Sequence, residues 1–142
     1  MSSRLVLALD ETDPVRALDV AKSVAPFVAK IKINYPLVLS AGLEIVTEIS
    51  KFSPVICDFK VADIPNTNRL IAKEAFEAGA SGIIAHAFPG PESLKAIREV
   101  DSTKDMYIVI TMSHPKGGDF FDIENFCKLA LEVGATGVVA PA

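Results

Sequence analysis

The segment Asp58-Phe59-Lys60-Val61-Ala62-Asp63-Ile64-Pro65-Asn66-Thr67 holds the densest set of side chains able to do chemistry in this chain. A lysine flanked by carboxylates stays protonated and held in place, which suits a general acid that delivers a proton to a developing carbanion. In an extended strand, residues two apart point the same way, so Asp58 and Lys60 are expected on one face. The same pattern on a surface is an ion-pair run that contributes little. Against that reading stands the preceding Pro54-Val55-Ile56-Cys57, apolar enough to require burial. Asp10 after Leu5-Val6-Leu7-Ala8-Leu9, Lys32 within Lys30-Ile31-Lys32-Ile33-Asn34, His86 and Ser113 are further candidates. Taken singly, Asp10 and Lys32 read equally as ligand contacts or loop anchors, and His86 reads first as a hydrogen-bonded structural residue. Ser113-His114-Pro115-Lys116-Gly117-Gly118 joins donors to paired glycines, as in a loop that closes over a ligand or in an ordinary flexible one. The sequence has no zinc-type His/Glu motif, nucleophile elbow or P-loop.

Positioning these groups requires a scaffold, and the chain alternates short β-branched runs with longer amphipathic ones, the mark of βαβ units around a parallel sheet. Strands are predicted over residues 4–9, 28–33, 54–59, 82–85, 106–112 and 136–140. Asp13-Pro14 reads as an N-cap followed by a first-turn proline, opening a helix with Ala17, Leu18, Ala21 and Val24 on one face. A second helix is predicted over residues 40–51 with Leu43, Val46 and Ile49 inward. A third should be capped by Asn66, carry Leu70, Ile71, Ala75 and Ala78, and stop at Gly79. A fourth fits residues 91–100 and a fifth residues 123–133, with Gly134 as its stop.

The strand ends recur about every 26 residues, the pitch of a (β/α)8 barrel, although an open doubly wound sheet gives the same local pattern. No Gly-x-Gly-x-x-Gly follows the first strand, which disfavours dinucleotide binding. In either architecture, ligand-handling residues gather where strands end, the rule that selects Asp10, Lys32, Asp58, Lys60, Asp63, His86 and Ser113. Eight such units need roughly 208 residues. The 142-residue chain is therefore expected to hold about six units of a single barrel domain and to lack the last two. Its apolar Val138-Val139-Ala140 edge should be covered by a further segment or another chain.

Composition narrows the function class. The chain is 50% hydrophobic, with 14 Lys+Arg against 18 Asp+Glu, a formal charge of −4. With a pI near 5.1 and no basic cluster, it lacks the electrostatic footprint of a nucleic-acid binder. No apolar run approaches the roughly 20 residues of a membrane span, and the start, Met1-Ser2-Ser3-Arg4, is unlike a signal peptide. A cytoplasmic protein without nucleic-acid or membrane partners is expected. Two cysteines, Cys57 and Cys127, suggest two buried reduced thiols, not a disulfide framework or a metal cluster.

Asp58-Phe59-Lys60-Val61-Ala62-Asp63-Ile64-Pro65-x-Thr67-Asn68 resembles the signature of the orotidine 5′-phosphate decarboxylases, archaeal members in particular. The resemblance runs the length of the chain through Leu7-Ala8-Leu9-Asp10, Lys30-Ile31-Lys32, Tyr35-Pro36-Leu37-Val38-Leu39-Ser40, His86-x-Phe88-Pro89-Gly90 and Met112-Ser113-His114-Pro115. It implies an α/β fold of the TIM (β/α)8 type and conversion of orotidine 5′-monophosphate (OMP) to uridine 5′-monophosphate (UMP) in pyrimidine nucleotide biosynthesis, with neither metal nor organic cofactor. Lys60 would protonate C6. Asp58 would lie beside the substrate carboxylate and, with Asp63 from the second subunit of a homodimer, hold Lys60 in place. Asp10 and Lys32 would bind ribose hydroxyls, Ile64 and Thr67 would reach the neighbouring site, and Ser113 would hydrogen-bond the pyrimidine.

Related sugar-phosphate decarboxylases and aldolases share the Asp-x-Lys-x-x-Asp core and use magnesium, whereas Ile64-Pro65 and Thr67 favour the nucleotide enzyme. A noncatalytic barrel fragment acting through association is the reading from outside enzymology. The resemblance also implies phosphate contacts from seventh- and eighth-strand loops, including a glutamine and an arginine that the 142 residues do not contain at such loops. A molecule ending at Ala142 is accordingly expected to turn over little, because lost remote binding energy lowers the chemical step as well as affinity.

Overall fold

The alternation read from the sequence is realised in the computed structural model, which describes residues 3–141. Its elements are β1 (Val6–Ala8), α1 (Pro14–Val24), β2 (Lys30–Asn34), α2 (Tyr35–Ala41), α3 (Glu44–Ser50), β3 (Val55–Val61), α4 (Pro65–Glu77), β4 (Gly82–His86), α5 (Pro91–Arg98), β5 (Asp105–Val109), α6 (Ile123–Glu132) and β6 (Gly137–Val139). The strands lie in one six-stranded sheet in the order β1-β2-β3-β4-β5-β6. This is the α/β class, six successive β/α units of the TIM-barrel type. Parallel neighbours cannot be joined by hairpins, so helical crossovers intervene between successive strands. The described residues fall into two compact units: residues 3–59 with Glu74–Gly82, and Lys60–Lys73 with residues 83–141.

In the first unit, the register sets Ala8 opposite Lys32, Ile33 opposite Cys57 and Asn34 opposite Asp58. Ile31, Ile33, Val55 and Cys57 are fully buried, against helical Ala17, Ala21, Leu37, Val46 and Ile49 that are buried too. Helix α1 begins as expected: Asp13 Oδ1 accepts from the backbone N–H groups of Val15 (2.9 Å) and Arg16 (3.1 Å), with Pro14 in the first turn.

The range predicted as one helix, residues 40–51, holds the end of α2, a break and α3. Helix α2 starts directly at the end of β2 with Pro36 in its first turn, and Gly42, at φ 80°, separates it from α3. That break rotates the inward stripe to Ile45, Val46 and Ile49 and leaves Leu43 half-buried.

In the second unit, Ile83, Ile84, Met106, Ile108 and Val109 of the strands are buried with Leu94 and Ile97 of α5. Strands β5 and β6 pair with Ile108 opposite Val138, and Thr136 closes the ladder by accepting from the Met106 N–H at its hydroxyl (3.0 Å) and donating to Met106 O (2.8 Å). Arg98 ties the end of α5 to its surroundings, donating to the carbonyls of Lys104 and Gly134 at 2.7 Å each.

Helix α4 differs from expectation in two respects. Asn66 lies inside its first turn instead of capping it, accepting from Arg69 at 3.1 Å. The buried stripe is Asn68, Ala72 and Ala75, while Leu70 is 53% exposed. The predicted stops at Gly79 (φ 106°) and Gly134 (φ 67°) are both left-handed. Among the described residues no helix is long and apolar enough to cross a membrane.

Both cysteines are free, but only Cys57 is buried; Cys127 is half-buried, because its turn of α6 faces a shallow apolar hollow beside Leu131 and Val138. Burial pushes the Cys57 thiol up to about 12. Native protein at pH 8 is expected to react with a thiol reagent at Cys127 while Cys57 reacts only after denaturation, as peptide mapping of the labelled chain will show. The unfolded thiol ionises near pH 9 and the folded one near 12. The unfolded chain therefore sheds this proton first, and the contribution of Cys57 to stability, complete below pH 9, should fall as pH rises through that window.

Candidate active site

The first unit brings together four polar groups at the ends of its strands. Asp58, on the most thoroughly buried strand, is 4% exposed and accepts a hydrogen bond from Lys32 Nζ at 3.1 Å. A carboxylate taken out of water needs such a cation in contact, since its desolvation otherwise costs several kcal/mol. Asp10 follows β1 and is exposed, its Oδ1 accepting from Asn34 Nδ2 at 2.9 Å. Asn34 precedes α2 without capping it through its side chain; its amide is committed to Asp10 instead. Tyr35 stacks on Phe59 with ring centroids 5.0 Å apart and planes 13° from parallel. Burial, and secondarily the negative charge of Asp58, push the Tyr35 phenol upward.

The second unit carries the continuation of the same motif. Lys60 is half-buried on β3, and its φ of 44° lies in the left-handed region that side chains with a Cβ rarely adopt. The period-of-two argument for Asp58 and Lys60 presumes extended backbone, which Lys60 does not have. Such strain survives only where surrounding structure imposes it. Asp63 sits exposed between β3 and α4, its Oδ1 accepting from the Ile64 N–H at 2.7 Å and its own N–H donating to Asn68 Oδ1 at 2.9 Å. Ile64 is 65% exposed, and Thr67 is half-buried in the first turn of α4. A groove of about 510 Å³ borders Asp63 and Ile64, with Phe88 and Glu92 on its rim.

Ser113 does not stand at a strand end. Strand β5 stops at Val109, and Ser113 lies exposed four residues later. The loop after it is a string of turns, with N–H groups of Gly117, Asp119 and Phe121 bonded back to His114 (2.8 Å), Lys116 (3.2 Å) and Gly118 (3.1 Å). A Cβ on Gly117 would meet Met112 Cβ at 2.8 Å and His114 O at 2.9 Å, so the loop packs on itself too closely for any other residue there. His86 lies against Phe88 (5.1 Å between centroids) and Phe121 (6.1 Å). Asn34 and Ser93 stand outside the residues singled out by strand-end position and charge: each is an uncharged polar residue whose role depends on the neighbour it meets. Among the described residues no three His, Cys, Asp or Glu side chains form a metal-ligating group.

The model of the Orotidine 5'-phosphate decarboxylase / HUMPS family matches residues 3–142. The chain belongs to this family. It is 54% identical to the orotidine 5'-phosphate decarboxylase of Methanosarcina acetivorans over 97% of its own length, and 47% identical to that of Thermococcus kodakarensis over 99%. It spans 64% and 66% of those two relatives. Among solved structures it is similar to the orotidine 5'-monophosphate decarboxylase of Methanocaldococcus jannaschii complexed with the inhibitor BMP, with TM-score 0.93 and 42% identity over 99% of this chain and 68% of that one. The Pyrococcus horikoshii enzyme gives TM-score 0.89 at 41% identity, covering 96% of this chain and 66% of that one.

The backbone at Lys60 yields a stability prediction. At an ordinary strand position glycine is the less stable replacement by about 0.5–1 kcal/mol, but relief of left-handed strain is worth roughly 1–2 kcal/mol. Lys60→Gly is therefore expected to equal or exceed Lys60→Ala in stability, by up to about 1.5 kcal/mol, as denaturant titration of the two variants will measure.

Proposed function

We propose that this chain carries the decarboxylating centre of an enzyme that converts OMP to UMP. The observation that carries the reading is a buried carboxylate, Asp58, held by Lys32 two residues ahead of a lysine in strained backbone, in a chain that belongs to this family. The bond from C6 to the substrate carboxylate breaks, its electron pair stays on C6, and carbon dioxide leaves. Lys60 then gives a proton to C6, and UMP is formed. A fixed cation beside a carbon that develops negative charge stabilises the transition state more than the ground state. Asp58 faces the departing carboxylate, a repulsion tolerable only while the rest of the substrate is firmly bound.

In this reading Asp10 and Lys32 hold ribose hydroxyls, and Ser113 bonds the pyrimidine. Asp10 is oriented for that role by Asn34, and Lys32 by Asp58. The chain acts as a homodimer in the cytoplasm, with Asp63, Ile64 and Thr67 of one copy serving the other copy's site; the exposure of Asp63 and Ile64 beside an open groove supports this. The reaction needs no metal or organic cofactor.

OMP consumption, followed by ultraviolet absorbance with enzyme in excess on the protein at its full encoded length, tests the reading. Turnover is expected to persist in a chelator and to fall by roughly 10²- to 10⁴-fold in Lys60→Ala. Equal rates for the two proteins would overturn the role of Lys60, and magnesium-dependent turnover of a sugar phosphate instead of OMP would move the chain to the metal-using relatives. Mixing and reassociating Lys60→Ala with Asp63→Ala should restore about a quarter of wild-type activity, since half of random dimers are mixed and each mixed dimer holds one intact site. Mixtures no more active than their components would refute the shared site.

A further inference from the structure

Asp58, Ser53, Asn68 and Ser93 are the polar or charged residues that the fold buries among those described. Two of them belong to one closed ring. Asn68, fully buried on α4, accepts the Asp63 N–H at its Oδ1 (2.9 Å) and donates from Nδ2 to the Ser93 carbonyl (3.1 Å). Ser93, 3% exposed on the first turns of α5, donates from Oγ to the Asp63 carbonyl (2.8 Å). The peptide N–H and the carbonyl of one loop residue are thus each held by a buried side chain, and the two side chains are bonded to each other through the Ser93 backbone.

A buried amide and hydroxyl are expensive unless satisfied, and a fully satisfied buried network rigidifies what it holds. What this one holds is the residue whose carboxylate is turned outward, pinned at its own Oδ1 by the Ile64 N–H (2.7 Å). An ordinary loop could satisfy Asp63's backbone with water at its exposed position. Here two helices each give up an inward-facing position, otherwise available to an apolar residue, to fix it.

We infer that Asn68 and Ser93 are positioning residues for Asp63, setting where its carboxylate stands for catalysis. The inference rests on the decarboxylase reading. Both hold the peptide of residue 63 and act on the reaction through its carboxylate, so their effect on kcat exists only while that carboxylate is present.

Two measurements separate this from a purely structural role and from failure of the decarboxylase reading. Amide exchange at Asp63, read by nuclear magnetic resonance on the wild-type protein and on Asn68→Ala, reports the ring itself, and exchange at least about tenfold faster in the variant is expected. An unchanged rate would overturn the inference. In OMP turnover, Asn68→Ala should lower kcat by roughly 10- to 100-fold with a smaller change in KM, yet leave kcat unchanged when introduced into Asp63→Ala. An equal loss in both backgrounds, or an intact kcat in a folded Asn68→Ala, would overturn the inference. Where Asn68→Ala does not fold, Ser93→Ala carries the same cycle, because it removes a single hydroxyl and leaves the backbone acceptor for Asn68. Absence of OMP turnover in the wild-type protein at its full encoded length refutes the decarboxylase reading and with it the catalytic consequence of the ring, while exchange at Asp63 still decides whether the ring holds the loop.

Discussion

Placing the Asp58 carboxylate at 4% exposure on a strand buried along almost its whole length is the constraint around which the rest is arranged. Desolvation of a carboxylate costs several kcal/mol unless a cation and hydrogen bonds compensate. Lys32 does so at 3.1 Å, which requires β2 and β3 to pair in the register that sets Asn34 level with Asp58 and Lys32 level with Ile56. A slip of one residue would turn Lys32 and Asp58 to opposite faces and bury Lys32, together with Lys30 or Asn34, in place of Ile31 and Ile33. The apolar register and the ion pair therefore enforce one another. In the family reading, the same pair sets a negative group against the substrate's own negative group, so the interaction that organises the strands also holds a destabilising group in place.

Beyond Asp58 the chain leaves regular strand geometry. Lys60 sits at φ 44°, and within a few residues Asp63 is exposed in a loop whose peptide is gripped by Asn68 and Ser93. Strain and buried hydrogen bonds make the same point by different means. A functional group is placed more sharply by backbone it would not adopt alone, or by neighbours that have given up apolar contacts to hold it, than by a side chain free to choose its rotamer. Both devices act within the segment that carries the family resemblance.

Much of this was legible in the chain itself, for identifiable reasons. Alternating β-branched runs, the Asp13-Pro14 start of α1 and the glycine stops at Gly79 and Gly134 are local signals, read within a few residues of where they act. Structure departs from expectation where a local signal has two meanings. The helix predicted over residues 40–51 leaves out most of α2, which starts directly after a strand with Pro36 in its first turn, a place where proline is at home. Leu70 looks inward by hydrophobicity, whereas the packed stripe of α4 runs through Asn68, because an amide whose oxygen and nitrogen both find partners can be buried at less cost than its polarity suggests. Apolar residues continue to Met112 and put Ser113 at a predicted strand end, but β5 stops at Val109, before the turns that pack around Gly117.

The sequence alone determined the class of fold, the order of its units and the identity of the charged residues, because hydrophobic period, caps and motif spacing are properties of neighbours along the chain. Tertiary structure decided which partner each charge meets: Lys32 for Asp58, Asn34 for Asp10, Asn68 and Ser93 for Asp63. Those partners lie 24 to 30 residues apart, save Asn68, which is five from Asp63. A hydrogen bond across such a separation depends on strand register and helix packing, which no local window of sequence contains.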